Sequence, residues 1–110
     1  INNGTLQSIN NSLLRTMSIE TNEITNTYYV STKRQVGQWN DATDWNWQAK
    51  RDGYTVSSTP INGAIAWQYG HVAYVESFTE TTVTISEMNY KGLGIVSTRT
   101  LLIETFTYIY

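Results

Sequence analysis

The sequence predicts an α+β domain, with short helices in its first half packed on one side of an antiparallel sheet built from its second half. Three observations carry this. Apolar residues recur at helical spacing before Gly53, they alternate with period two after it, and turn residues interrupt that second half at short intervals. At 110 residues the chain is expected to form a single domain, and it contains no repeat or low-complexity stretch.

In residues 5–18, Leu6, Ile9, Leu13, Leu14 and Met17 predict a short amphipathic helix, weakened by Asn and Ser. A polar loop over residues 20–26 follows. A second helix is expected from Thr27 to Val36, with Tyr29, Val30 and Lys33 on one side and Gly37 as its stop. Asp41 and Asp44 resemble a carboxylate capping box opening a third helix, from about Ala42 to Asp52. Ala42, Trp45 and Ala49 mark its buried face, and Gly53 is expected to end it in the left-handed conformation.

Beyond Gly53 the pattern becomes that of strands. Tyr54-Thr55-Val56 is a short one, residues 57–63 form a turn-rich link holding the only proline, and Ala64 to Trp67 begins the main sheet. A hairpin from His71 to Tyr90 is expected, turning over Ser77 to Thr81. Residues 91–94 connect to a strand over Ile95 to Thr100, and Thr105 to Tyr110 alternates as the last. In that hairpin, the register setting Ala73 opposite Ile85 and Val75 opposite Val83 pairs apolar with apolar, and it also sets His71 opposite Glu87. An imidazole beside a carboxylate is oriented by it, and Asn89 lies one step further along the same face.

Composition excludes several functions. Net charge is -2, and without a run of Lys or Arg there is no electrostatic basis for nucleic-acid binding or docking on anionic membranes. No apolar run reaches the roughly 20 residues of a membrane-spanning helix, and no secretion signal opens the chain, whose start at Ile1 fits a processed or excised segment. With no cysteine and one histidine, a zinc site would need mostly carboxylates, so neither a metal nor a cofactor is expected.

From about Asn26 to Tyr110 the chain resembles a CHAP domain, the cysteine- and histidine-dependent amidohydrolase/peptidase family of secreted bacterial and phage peptidoglycan hydrolases. The residues that carry the resemblance are Thr27-Tyr28-Tyr29-Val30, Trp39-Asn40 through Trp45, Gly53-Tyr54-Thr55-Val56, Thr59-Pro60, Gly63-Ala64-Ile65, residues 70–76, residues 86–90 and residues 94–100. The N-terminal segment, residues 1–25, lies outside it. The resemblance implies a papain-like fold, with a nucleophilic cysteine at a helix start, a histidine on a strand, and a Glu or Asn on the next strand orienting the imidazole. His71, Glu87 and Asn89 match. The cysteine position is occupied by Asn26, and the glutamine before it, implied to help hold the oxyanion, by Thr25.

A carboxamide cannot stand in for a thiolate, because its nitrogen lone pair is delocalised. Asn26 is instead expected to cap the helix that follows. Thr25, Thr27 and Ser31 are poor substitute nucleophiles, since none occupies the matched position. Trp67, Tyr69, Tyr90 and Trp47 are candidates for lining a cleft, their rings suiting sugar or peptide faces. The expected function is that of an inactive CHAP-like domain, extracellular, wall-associated or virion-associated, in a bacterial, phage or conjugation setting. It would bind peptidoglycan or serve as a structural interaction module. Two alternatives stay open: a peptidoglycan amidase or endopeptidase whose cysteine has been replaced, and a protein-protein scaffold with a plugged cleft.

Overall fold

The computed structural model describes residues 24–110, so the helix expected over residues 5–18 lies outside the described residues. Two helices pack on a six-stranded antiparallel sheet. In chain order the elements are α1 (Asn26–Lys33), a 3-10 turn (Ala42–Asp44), α2 (Trp45–Arg51), β1 (Val56–Ser57), β2 (Ile65–Gln68), β3 (His71–Phe78), β4 (Thr82–Met88), β5 (Val96–Leu102), a second 3-10 turn (Ile103–Thr105) and β6 (Thr107–Ile109). The spatial order is β1-β6-β2-β3-β4-β5, so the last strand of the chain enters beside β2.

Helix α1 ends at Lys33, short of the expected Val36, because Arg34 turns extended. From there its guanidinium donates to the Gly63 carbonyl at 3.1 Å, and the chain brings Val36 into the core. The capping box expected at Asp41 and Asp44 does not form. Neither carboxylate caps a backbone N–H, and Asp44 instead accepts from the Trp47 indole at 3.2 Å. The C-terminus of α2 follows expectation: Gly53 sits at φ +90°, with Gly53 N–H bonding Lys50 O and Tyr54 N–H bonding Ala49 O. That is the Schellman arrangement, in which glycine takes the left-handed turn at little cost.

Alternation along the strands builds two cores, one on each face of the sheet. Ile65, Val72 and Ile109 join Val30, Val36, Ala42, Trp45 and Ala49 on the helix face. On the opposite face Ala64, Ala66, Ala73, Val75, Val83 and Ile85 pack with Phe106 and Tyr108, closed by Leu101 and Ile103. Tyr108 is fully buried and donates to Ile103 O at 2.7 Å. Burial, with Glu104 adding repulsion, pushes its phenol up from the ordinary 10.0 to about 12. Such a group supports folding fully below the unfolded value and stops doing so as pH rises through the folded one. Unfolding free energy measured against pH is therefore expected to fall between about 10 and about 12, and Tyr108→Phe to flatten part of that fall.

The β3-β4 register differs from the expected one. Val75 lies opposite Ile85 and Tyr74 opposite Ser86, whereas Ser77 lies opposite Thr84 and Phe78 opposite Val83. The turn is tighter than predicted, spanning residues 79–81, with Thr79 Oγ1 accepting from the N–H groups of Thr81 and Thr82. The shift of register between Val75 and Ser77 is a bulge at Glu76. Its carboxylate accepts from Ser86 Oγ at 2.7 Å, and Ser86 in turn accepts from the Tyr29 hydroxyl of α1 at 2.8 Å. Without the bulge, the register of the turn end would set Val75 opposite Ser86 instead of Ile85. With it, His71, Ala73 and Val75 share a face with Val83, Ile85 and Glu87, in a register two residues away from the expected one.

Candidate functional site

Three side chains from separate elements meet at the start of α1. Asn26 supplies Nδ2 from the first turn of the helix, 3.0 Å from His71 Nδ1 on β3. The other ring nitrogen, His71 Nε2, lies 2.7 Å from Glu87 Oε1 on β4. Glu87 is fully buried and the imidazole is about four-fifths buried, with 20% of its side chain exposed. His71 reaches this place through a two-residue turn, Tyr69-Gly70, in which Gly70 at φ +79° takes the position that favours glycine.

A fourth residue, Arg99 on β5, had no role in the sequence reading. It donates Nε to Glu87 Oε2 at 2.5 Å and Nη2 to Oε1 at 3.0 Å, and its guanidinium stacks on the Tyr90 ring at 3.7 Å. Hydrogen bonding to Glu87 holds the guanidinium above its ordinary range, against the opposing pull of desolvation. The register of β4 with β5 brings it there, since Ile85 faces Arg99 and Glu87 faces Ser97, so 85, 87, 97 and 99 share one side. A sequence reading that had paired Val83 with Leu101 would have found it. Residues 94–100 carried the resemblance, but nothing in them fixes the register of β5.

Other expectations at the site are corrected. The N-cap of α1 is Thr25, not Asn26: Thr25 Oγ1 accepts from Tyr28 N at 3.0 Å, a contact worth about 1 kcal/mol. Asn26 is thereby free to point its amide at the imidazole. Asn89 lies past the end of β4 at φ +81°, accepting from Gly94 N–H at 2.6 Å and donating to Ile24 O at 2.7 Å. It holds the loop after β4 and is not the second orienter of His71. Trp67 is half-buried: its ring packs against the helix-face core and its indole N–H donates to Ala42 O at 2.6 Å. Tyr69 is 81% exposed two residues before His71, Tyr90 is half exposed beneath Arg99, and Trp47 stands on α2 with Arg51 over its ring. No group of three or more His, Asp or Glu residues able to hold a metal occurs among the described residues.

Chemically, the arrangement has an imidazole held by a carboxylate, as in a general base with its orienter, facing a carboxamide. The amide nitrogen donates a proton and offers no nucleophile. No helix among the described residues is long and apolar enough to cross a membrane.

Comparison with known proteins agrees with the fold. The chain is 45% identical over 87 residues to the probable autolysin LDP of Staphylococcus aureus, an alignment covering 69% of this chain and 31% of that protein. It is 46% identical over 84 residues to the staphylococcal secretory antigen ssaA2 of the same species, covering 68% and 32% respectively. The crystal structure of an N-acetylmuramoyl-L-alanine amidase from Staphylococcus aureus superposes with a TM-score of 0.71 at 34% identity, over 79% of this chain and 30% of that one. The chain thus spans about a third of the length of the curated relatives it matches. The CHAP domain family profile matches residues 21–89, which take in α1 with Asn26, β3 with His71 and β4 with Glu87, and the chain belongs to that family.

Proposed function

We propose that this domain binds peptidoglycan without cleaving it, at the cell wall or otherwise outside the cell. The observation that carries the reading is the amide of Asn26 hydrogen-bonded to His71 Nδ1 in a sequence without cysteine. The family's mechanism needs a thiolate where that amide stands, and deleting a nucleophile elsewhere costs about 10⁶-fold in turnover. The rest of the site persists, with His71 and Glu87 in contact and the aromatic rings of Tyr69 and Tyr90 exposed nearby. The names of the relatives, an autolysin and a secretory antigen, support a place at the wall or outside the cell.

The purified protein is expected to pellet with Gram-positive peptidoglycan and to leave the wall suspension turbid. Tyr69→Ala, which removes an exposed ring and no core contact, is expected to weaken pelleting by about tenfold, the order of one well-placed aromatic contact. Trp67→Ala is unsuitable for this purpose because it also removes packing against the core and the hydrogen bond to Ala42 O. Pelleting no greater than that of an unrelated protein would sink the reading. It would favour a protein partner instead, for which Tyr90, Leu93, Ile95 and Val96 offer exposed apolar side chains beside the site.

A further inference from the structure

We propose that the outer edge of β5 is a docking surface for a second copy of this chain, the two β5 strands pairing antiparallel about a two-fold axis at Arg99 and joining two sheets into one. The contact uses backbone groups and side chains of β5 that take no part in the Asn26-His71-Glu87 site, so it stands whether or not the domain binds peptidoglycan.

The sheet ends on β1 at one side and on β5 at the other. β1 has two residues, too short to template a partner, whereas β5 has seven and pairs with β4 without a break in register. An edge that must stay alone is commonly blunted by proline, by exposed lysine or by a bulge. β5, Val96-Ser97-Thr98-Arg99-Thr100-Leu101-Leu102, carries none of these, and its one charge is turned onto Glu87. No other strand among the described residues meets this edge.

The hydrogen bonds to β4 fix what the edge offers. Asn89 N–H donates to Ile95 O and Ile103 N–H to Thr81 O, both at 3.0 Å, in the same register that sets Ser97 opposite Glu87 and Arg99 opposite Ile85. Hydrogen-bonded pairs alternate along an antiparallel ladder, so Ser97, Arg99 and Leu101 direct their N–H and C=O groups at β4. Val96, Thr98, Thr100 and Leu102 direct theirs outward, and their side chains are exposed as well.

Those four side chains read the same in both directions: apolar, Thr, Thr, apolar. A strand with that pattern is complementary to an antiparallel copy of itself, as a two-fold contact requires. Val96, 48% exposed, then lies opposite Leu102 of the second copy, 54% exposed, and Thr98 lies opposite Thr100, each pair exchanging backbone hydrogen bonds. A register shifted by two residues would set apolar against threonine instead. The two Arg99 residues meet at the axis, where each guanidinium is already held by its own Glu87.

The intact protein is measured by sedimentation equilibrium up to about 1 mM, because an edge contact of this size is weak. The wild type is expected to rise from 12.5 kDa toward twice that mass. Val96→Lys with Leu102→Lys, both at half-exposed positions outside the core, sets like charges opposite each other and is expected to weaken self-association by about tenfold or more. Val96→Glu with Leu102→Glu is expected to do the same. Mixed in equal amounts, the two variants are expected to associate with each other, because the same register now sets lysine opposite glutamate; that rescue also excludes misfolding as the cause of the loss. A wild type that stays monomeric at the highest concentration overturns the proposal and leaves the edge to a chain of different sequence. So does a lysine variant that dimerises as tightly as the wild type, since the dimer then uses another surface. A mixture no more associated than its components overturns it too, since the pairing of residue 96 with residue 102 is then wrong.

Discussion

Asn26→Cys combined with Thr25→Gln is expected to convert this protein from one that leaves cell walls intact into one that lyses them. The remaining parts are in position. Glu87 Oε1 holds Nε2 of His71 at 2.7 Å, which turns Nδ1 toward residue 26 at the first turn of α1. A thiol there is acidified by the helix N-terminus and by an adjacent imidazolium, which together favour the thiolate that attacks a carbonyl. Cysteine Sγ sits one bond from Cβ where Asn26 Nδ2 sits two, so the sulfur starts further from the ring, a looseness common in unliganded sites. Turnover of the double variant should exceed that of the wild type by up to about 10⁶-fold, the gap seen when a nucleophile is deleted from other hydrolases.

The single variants separate the contributions. Asn26→Cys alone keeps the Thr25 cap on Tyr28 N–H but lacks the glutamine that the family resemblance assigns to the oxyanion. It is expected to be about 10²- to 10³-fold slower than the double variant, the usual loss for one oxyanion donor. Thr25→Gln alone should lose about 1 kcal/mol of stability with the cap and gain no activity. Measured as loss of turbidity of a wall suspension, an inert and properly folded double variant would mean that the rest of the site has drifted beyond use.

How much of this was legible in the sequence depended on the range of the contacts. That His71 and Glu87 share a face follows from alternation, and a register error of two residues leaves alternation untouched, so the contact survived a wrong pairing. The bulge at Glu76 was not legible, because it answers to Ser86 and Tyr29, two partners from other elements. The cap of α1 was misplaced by one residue for a local reason. Thr25 and Asn26 are both good caps, and only the pull of His71 on the Asn26 amide decides between them. Trp67 looked like a cleft residue because it precedes His71 by four, yet strand pairing with Val72 turns its ring to the helix face, under Ala42. Arg99 is only twelve residues from Glu87, yet finding it required the register of β5 against β4, which no local pattern in residues 94–100 fixes.

Glu87→Ala is expected to cost about 3–5 kcal/mol of folding stability, the usual penalty for breaking a buried ion pair by removing one partner. The loss leaves the guanidinium of Arg99, 22% exposed, without its two acceptors, and the His71 Nε2 proton without its own. For a domain of this size the melting temperature should fall by roughly 12 °C or more. The informative comparison is Glu87→Leu with Arg99→Met, which removes both charges. Desolvation of a buried pair consumes most of its Coulombic gain, so the double apolar variant should recover most of the stability lost in Glu87→Ala. If it does, the pair is worth little to folding as such, and what it does for the protein is hold the ring of His71 against Asn26. If instead the double variant is as unstable as Glu87→Ala, Glu87 and Arg99 are structural in their own right. Chemical denaturation distinguishes these outcomes, since a shift of midpoint at constant slope reports stability alone.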